Sequence, residues 1–181
     1  MGEPAEIEKT VDQGLEVGAA RLTEDKIEKV INSVLRLREY EEKVSNITVS
    51  KELEENLPDI AIDKFQLQQV FLNLVLNAEA AIKDTRKPGI LSVKTERTNN
   101  HVNICFNDTG CGIKKNILPR IFDPFFTTKD IGKGTGLGLS ICYGIVVKHN
   151  GRISVESRLN EGSTFTIRMP LATAGSTGQR R

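Results

Sequence analysis

The sequence predicts an α/β domain built as a two-layer sandwich, with helices packed on a sheet. Three observations carry this. Helical and strand-like segments follow in the order helix, strands, helix, strands, helix, strands, unlike the regular β-α-β alternation of a parallel sheet. Apolar residues make up 38% and charged residues 27% of the chain, the balance of a folded soluble protein. The 181 residues suffice for one core with an additional arm.

Residues 1–22 have weak periodicity and carry Gly2, Pro4, Gly14 and Gly18. They read as an arm, a linker or the remnant of a neighbouring helix. Residues 23–171 form the domain proper. Thr23 is placed to N-cap a helix reaching Tyr40, with Ile27, Val30, Ile31, Val34, Leu35 and Leu37 at helical spacing. Residues 46–53 alternate like a strand, and Ile60–Ile62 is a short one beyond Pro58. The strongest helix signal runs from Phe65 to Ile82, where Leu67, Val70, Phe71, Leu74, Val75, Ala78 and Ile82 form a wide stripe, with Lys87-Pro88-Gly89 beyond its end. Ile90–Glu96 and Val102–Asp108 alternate as strands around an Asn99-Asn100 turn. Leu137–His149 is a further helix closed by Asn150-Gly151, followed by strands at 152–157 and 164–169. Residues 172–181 are small and polar and read as a frayed tail.

Several function classes are excluded or disfavoured. No apolar run approaches the roughly 18 residues of a membrane span. The acidic N-terminus lacks a secretory signal pattern. Three cysteines at irregular spacing (Cys105, Cys111, Cys142) fit a reducing, cytoplasmic setting rather than a disulfide framework. Two histidines and no Cys-x-x-Cys argue against zinc. Net charge is +1, but residues 1–63 hold 16 acidic against 8 basic side chains and residues 64–181 hold 8 against 17. The basic part suits an anionic ligand such as a nucleotide, or nucleic acid, or is simply an uneven solvated surface. Only 5% of residues are aromatic and none is Trp, which disfavours single-strand binding.

Four motifs carry chemistry. Gly132-Lys-Gly134-Thr135-Gly136-Leu137-Gly138-Leu139-Ser140 alternates glycines ahead of a helix, an arrangement that brings backbone N–H groups and a helix dipole to an anion. It matches neither a Walker A loop nor a Rossmann fingerprint, and the plain alternative is a flexible surface loop. Asp108-Thr-Gly110-Cys-Gly112-Ile113 places a carboxylate at a turn after a strand, where it could accept from an amine, or merely make an Asp-Gly turn. Asn73 and Asn77 share one face of an apolar helix. Their carbonyl oxygens suit a hard cation such as Mg²⁺, and capping a neighbouring loop is the ordinary alternative. Phe122-Asp-Pro-Phe125-Phe126-Thr-Thr-Lys129 lies in the weakly periodic segment Ile113–Gly134, a length typical of a functional lid, and its aromatics are either a local hydrophobic staple or a docking patch for that lid.

In this order the motifs resemble the N, G1, F and G2 boxes of the catalytic ATP-binding domain of sensor histidine kinases, a fold shared with gyrase, mismatch-repair and Hsp90-type ATPases. Glu161-Gly-Ser-Thr164-Phe165 resembles the family's late strand-turn motif, and Phe-Phe-Thr-Thr-Lys resembles the nitrogen-regulation type. The resemblance covers about residues 24–171. It implies a mixed, mostly antiparallel sheet packed on about three helices, with a mobile ATP lid. It implies that ATP and Mg²⁺ bind, with Asp108 on the adenine amino group and Gly110, Gly112, Ile113 and Thr164 around the base. Asn77 would hold Mg²⁺ with Asn73 beside it. Gly134, Thr135, Gly136, Leu137, Gly138 and Leu139 would approach the phosphates, Lys129 and Lys133 would contact them, and Phe125 and Phe126 would anchor the lid.

The family's acceptor is a histidine on a dimerising helical hairpin. Neither His101 nor His149 has that sequence context. The resemblance therefore implies the ATP-binding half of a kinase that phosphorylates a separate hairpin domain for relay to a response regulator, this piece being a monomer without membrane or nucleic-acid contacts. A nucleotide-binding regulatory module and an anti-sigma-type serine kinase are the alternatives.

Overall fold

The central helix begins at a side-chain cap. Oδ1 of Asp63 accepts hydrogen bonds from the backbone N–H of Phe65 and of Gln66, both at 2.9 Å. These are two of the donors that a helix start leaves unpaired. The helix, α2, then runs Lys64–Asp84. Its apolar stripe buries Leu67, Val70, Phe71, Leu74, Val75, Ala78 and Ile82, as the spacing predicts.

The computed structural model describes residues 5–8, 21–22, 24–129 and 134–172. Around α2 lie α1 (Glu24–Val44), α3 (Gly138–Lys148) and the strands β1 (Ala5–Glu8), β2 (Arg21–Leu22), β3 (Ile47–Leu53), β4 (Ile60–Ala61), β5 (Gly89–Arg97), β6 (His101–Asp108), β7 (Arg152–Arg158) and β8 (Gly162–Pro170). The main sheet has the order β1-β7-β8-β6-β5-β3. Among the described residues only β3 and β5 pair in parallel, through the crossover that α2 provides, and the other pairs are antiparallel. The expected mixed, mostly antiparallel two-layer sandwich with three helices is the architecture found. β2 and β4 form a separate two-stranded ribbon.

The sheet's inner face follows the period-2 rule. Leu91 and Val93, Val102, Ile104 and Phe106, Ile153 and Val155, and Phe165, Ile167 and Met169 are buried against the helices. The Phe71 and Phe106 rings meet at 5.2 Å between centroids. On the other face Lys94, Asn107, Glu156 and Arg168 are exposed, so helices cover one side only.

Three differences from the sequence reading have local causes. α1 runs on to Val44 because no breaker intervenes before Asn46, which takes a left-handed φ of 54°. β8 starts two residues earlier than expected, since Gly162 and Ser163 already pair with Arg158 and Ser157. The described parts of the N-terminal segment, β1 and β2, are strands rather than helix. Thr23, expected as a cap, and the tail from residue 173 onward lie outside the described residues.

One ionic seam joins α1 to α2. Arg38 donates from Nε to Glu79 Oε1 at 2.9 Å and from Nη2 to Oε2 at 2.7 Å. Glu79 is only 2% exposed. Beside it Glu42 is buried, with one oxygen that finds no partner among the described residues, and burial followed by the Glu79 charge raises its pKa.

Breaking a buried ion pair from one side strands the other charge. Arg38→Met is therefore expected to destabilise the domain by about 3–5 kcal/mol. Arg38→Met combined with Glu79→Met is expected to recover most of that loss in urea unfolding, because neither partner of the pair is then left buried without the other.

Candidate functional site

Alternation along β6 places Asp108 on the same inner face as Phe106 and Ile104, at the end where the strand leaves the core. Its carboxylate is buried, 3% exposed. Oδ1 accepts the Gly110 N–H at 2.8 Å, and the Ser163 N–H also donates to the carboxylate. Desolvation outweighs both bonds and pushes the pKa up to about 6. A carboxyl group so placed is a directional acceptor on the floor of an otherwise apolar recess.

The turn after Asp108 is pinned to three elements. Gly110 packs against Ala81 of α2, so closely that a Cβ would fall 2.6 Å from it. Cys111 N–H donates to the Ala81 carbonyl at 3.0 Å, and Ile113 N–H donates to Ser157 Oγ at 2.9 Å. Gly112 has a φ of +67°, and a Cβ there would lie 1.9 Å from the Arg158 carbonyl oxygen. Only glycine fits that conformation and that approach.

Above this floor opens a cleft of about 710 Å³. One wall is α2, whose 3.6-residue period turns Asn73, Asn77, Ala80, Ala81 and Asp84 toward it. The floor holds Asp108, Ser163 and Phe165. Ile113, Ile117, Ile121 and Phe126 form an apolar wall, and Thr127, Thr128, Lys129, Gly134, Thr135, Gly136, Gly138 and Leu139 close the far side. The structure thus brings together most residues that the sequence singled out, from Asn73 on α2 to Leu139 on α3.

The two asparagines separate in role. Asn73 Nδ2 donates to the Gly138 carbonyl at 3.2 Å, which ties α2 to the first turn of α3. Asn77 also lines the cleft, and its amide makes no hydrogen bond to another described residue. Its oxygen is thereby the better placed of the two for a hard cation. No group of three His, Cys, Asp or Glu side chains able to hold a metal ion exists among the described residues.

Three expectations need correction. Thr164 does not face the base-sized recess: it lies on the outer face, where its Oγ1 accepts from Asn107 Nδ2 at 2.7 Å. Ser163 occupies the inner position, opposite Asp108 in the register, and this follows from the period of 2. Phe125 does not anchor the lid with its ring, which is 74% exposed. A left-handed φ of 64° turns it outward, while its backbone packs on Gly136. The anchoring falls to Phe126, which packs on the core under the Arg120 guanidinium at 4.7 Å, and to buried Phe122, 5.8 Å from Tyr143. Leu137 is not in the cleft wall; its carbonyl accepts from Ser140 Oγ at 2.9 Å and starts α3. Lys133 lies outside the described residues.

Ser163, Ile117, Ile121, Lys83 and Asp84 are cleft residues that the sequence reading missed. Ser163 and Asp84 had a signal in strand and helix periodicity. Ile117 and Ile121 flank an irregular 3₁₀ turn, Leu118–Arg120, with no such signal.

The cleft lacks an activated nucleophile among its described residues. Burial raises the Cys111 thiol, with Asp84 adding to it. Cys142, on the buried side of α3, is pushed up to about 12. Neither histidine lines the cleft, and His149 Nδ1 donates to the Ile145 carbonyl at 2.8 Å. This site is built to hold and orient a ligand.

Comparison with known proteins agrees. Residues 62–173 match the family described as histidine kinase-, DNA gyrase B-, and HSP90-like ATPase. The sensor histidine kinase ZraS of Escherichia coli strain K12 is 39% identical over 142 residues, which are 78% of this chain and 30% of that protein. The chain thus spans about a third of the length of this curated relative. The nucleotide-free catalytic domain of histidine kinase ThkA superposes with a TM-score of 0.74 at 30% identity, covering 86% of this chain and 97% of that one. ThkA solved with the response regulator protein TrrA gives a TM-score of 0.68 at 27% identity, over 85% and 42% of the two chains. Full-length ShkA in complex with AMPPNP gives 0.75 at 26% identity, over 90% and 33%.

Two outcomes follow from the floor geometry. Gly112→Ala is expected to abolish ligand binding and lower the melting temperature, since backbone must move to admit the methyl group. Asp108 is raised from 3.8 to about 6, so its contribution to stability is full below the ordinary carboxylate range and is lost as pH rises through about 6. Asp108→Asn is accordingly expected to raise the melting temperature of the empty domain at pH 8, with the gain fading toward pH 4.

Proposed function

The chain belongs to the histidine kinase-, DNA gyrase B- and HSP90-like ATPase family, as a catalytic ATP-binding domain of the sensor histidine kinase type, and from that membership we propose that it donates the γ-phosphoryl group of Mg·ATP to a histidine on a separate helical domain. The single observation that supports this best is Asp108: a buried carboxylate facing a cleft whose opposite wall carries Asn77.

In this reading the adenine amino group donates to Asp108, and Ser163 and Gly112 border the base. The phosphates run toward Asn77, Gly136 and Gly138, where backbone N–H groups and the start of α3 meet negative charge. Asn77 would hold Mg²⁺, which supplies charge neutralisation at the phosphates when bound. Lys129, and Lys133 beyond the described residues, are the candidates for contacts to the terminal phosphates. Catalysis is then chiefly positioning and electrostatics. An imidazole nitrogen of the acceptor forms the new N–P bond, the bond from the γ-phosphorus to the β,γ-bridging oxygen breaks, and ADP leaves with the electron pair.

The similarity to ThkA, a protein solved with a response regulator, supports onward transfer to the aspartate of such a partner. The same reading takes residues 23–171 as the catalytic unit of a longer cytoplasmic or cytoplasm-facing kinase, monomeric as a piece.

Calorimetric titration with a non-hydrolysable ATP analogue and Mg²⁺ is the first test. The wild type is expected to bind, and Asp108→Ala to lose at least about tenfold in affinity, the scale of one buried charge-assisted hydrogen bond. Incubation with ATP and an added hairpin domain is expected to yield an acid-labile phosphohistidine. Acid-stable phosphate on the product would point to a serine acceptor, and binding without any transfer would point to a regulatory nucleotide-binding module.

A further inference from the structure

Lys83 stands where two sets of charges compete for it. It sits in the last turn of α2, and its side chain lines the cleft on the edge nearest α1. Among the described residues only Lys83 and Lys129 bring a positive charge to the cleft lining. Without Lys83, Lys129 would be the one described cation set against the carboxylates of Asp84 and Asp108. A polyanion entering such a cleft gains from a further cation on its rim.

The present partners of Lys83 hold it loosely. Its Nζ lies 3.5 Å from Glu41 Oε2 and 4.0 Å from Glu79 Oε2. Glu79 is already satisfied by the two short bonds from Arg38 and does not depend on Lys83. The Glu41 pair is solvated, with both side chains at least 40% exposed. A lysine carries three donors on a flexible stem and can leave such a pair at little cost.

Resting on the nucleotide-binding reading above, we propose that Lys83 is an anion-binding residue of this cleft. It leaves Glu41 and contacts the ribose-phosphate portion of the bound nucleotide. Glu41, on α1, thereby tunes nucleotide affinity without touching the nucleotide. A residue that merely offsets the helix dipole at the end of α2 would do neither.

The test is calorimetric titration of the wild type, Lys83→Gln, Lys83→Arg, Glu41→Gln and the Lys83→Gln/Glu41→Gln double variant with ATP, ADP and adenosine at low salt. Lys83→Gln is expected to weaken ATP and ADP about fivefold, the upper range of one exposed charge contact, and to leave adenosine unchanged. Lys83→Arg is expected to restore most of the loss. Glu41→Gln is expected to tighten ATP about twofold, an effect that vanishes when Lys83 is also replaced. Unchanged ATP affinity in Lys83→Gln, an equal loss for adenosine, or a Glu41→Gln effect that persists without Lys83 would each overturn the assignment. A wild type that binds none of the three ligands overturns the nucleotide-site reading itself, an outcome separable from failure at Lys83 alone.

Discussion

Burying a carboxylate costs several kcal/mol unless the surroundings supply donors in fixed places. At Asp108 the domain meets that demand only in part. Two backbone N–H groups point at the carboxylate, yet its pKa still rises to about 6. Much of the local architecture can be traced to this demand. The turn must double back tightly for Gly110 to donate, so it lies against Ala81. β8 must stay paired to its first residues for Ser163 to donate, so Gly162 and Ser163 belong to the strand. Ser157 links the two: its hydroxyl donates to the Gly162 carbonyl and accepts from Ile113 N–H. The residual deficit is what a ligand with a matching donor can relieve.

α2 transmits this arrangement to the other side of the cleft. One helix supplies the largest share of the core and, on adjoining positions, one polar wall of the cleft. Asn73 then fixes the opening turn of α3 through Gly138. The lid root is held differently, by burial of Phe122, by half-buried Phe126 packed on the core and by Phe125 backbone seated on Gly136. A bulky residue at positive φ is strained. The strain at Phe125 is borne where the chain must reverse between the apolar wall and the glycine loop. The ionic seam between α1 and α2 extends the same logic outward, because Lys83 borders both the seam and the cleft.

Residue patterns alone determined much of this protein. Apolar spacing along residues 65–82 marked α2, and strand alternation marked β5 to β8, because burial on one face leaves a periodic trace. The order of elements gave a two-layer sandwich. The paired asparagines, the Asp-x-Gly-x-Gly turn and the alternating glycines named the site before their proximity was visible, since each is a residue choice that secondary structure alone does not favour.

What tertiary structure decided were matters of facing and proximity. Whether Ser163 or Thr164 meets the cleft depends on one residue of register, and the inner position follows from the pairing of Asp108 with Ser163. Phe125 and Phe126 are identical side chains in adjacent positions, yet with a left-handed φ at Phe125 the first stands outward while the second packs against the core. Asn73 and Asn77 share a helix face, yet only contact with Gly138 turns the first into a structural tie. Lys83 carries no local signal, because its place on the rim beside Glu41, 42 positions away, arises from how α1 packs beside α2. Periodicity records which face of an element is buried; it does not record which other element lies across from it, and that is set by packing in three dimensions.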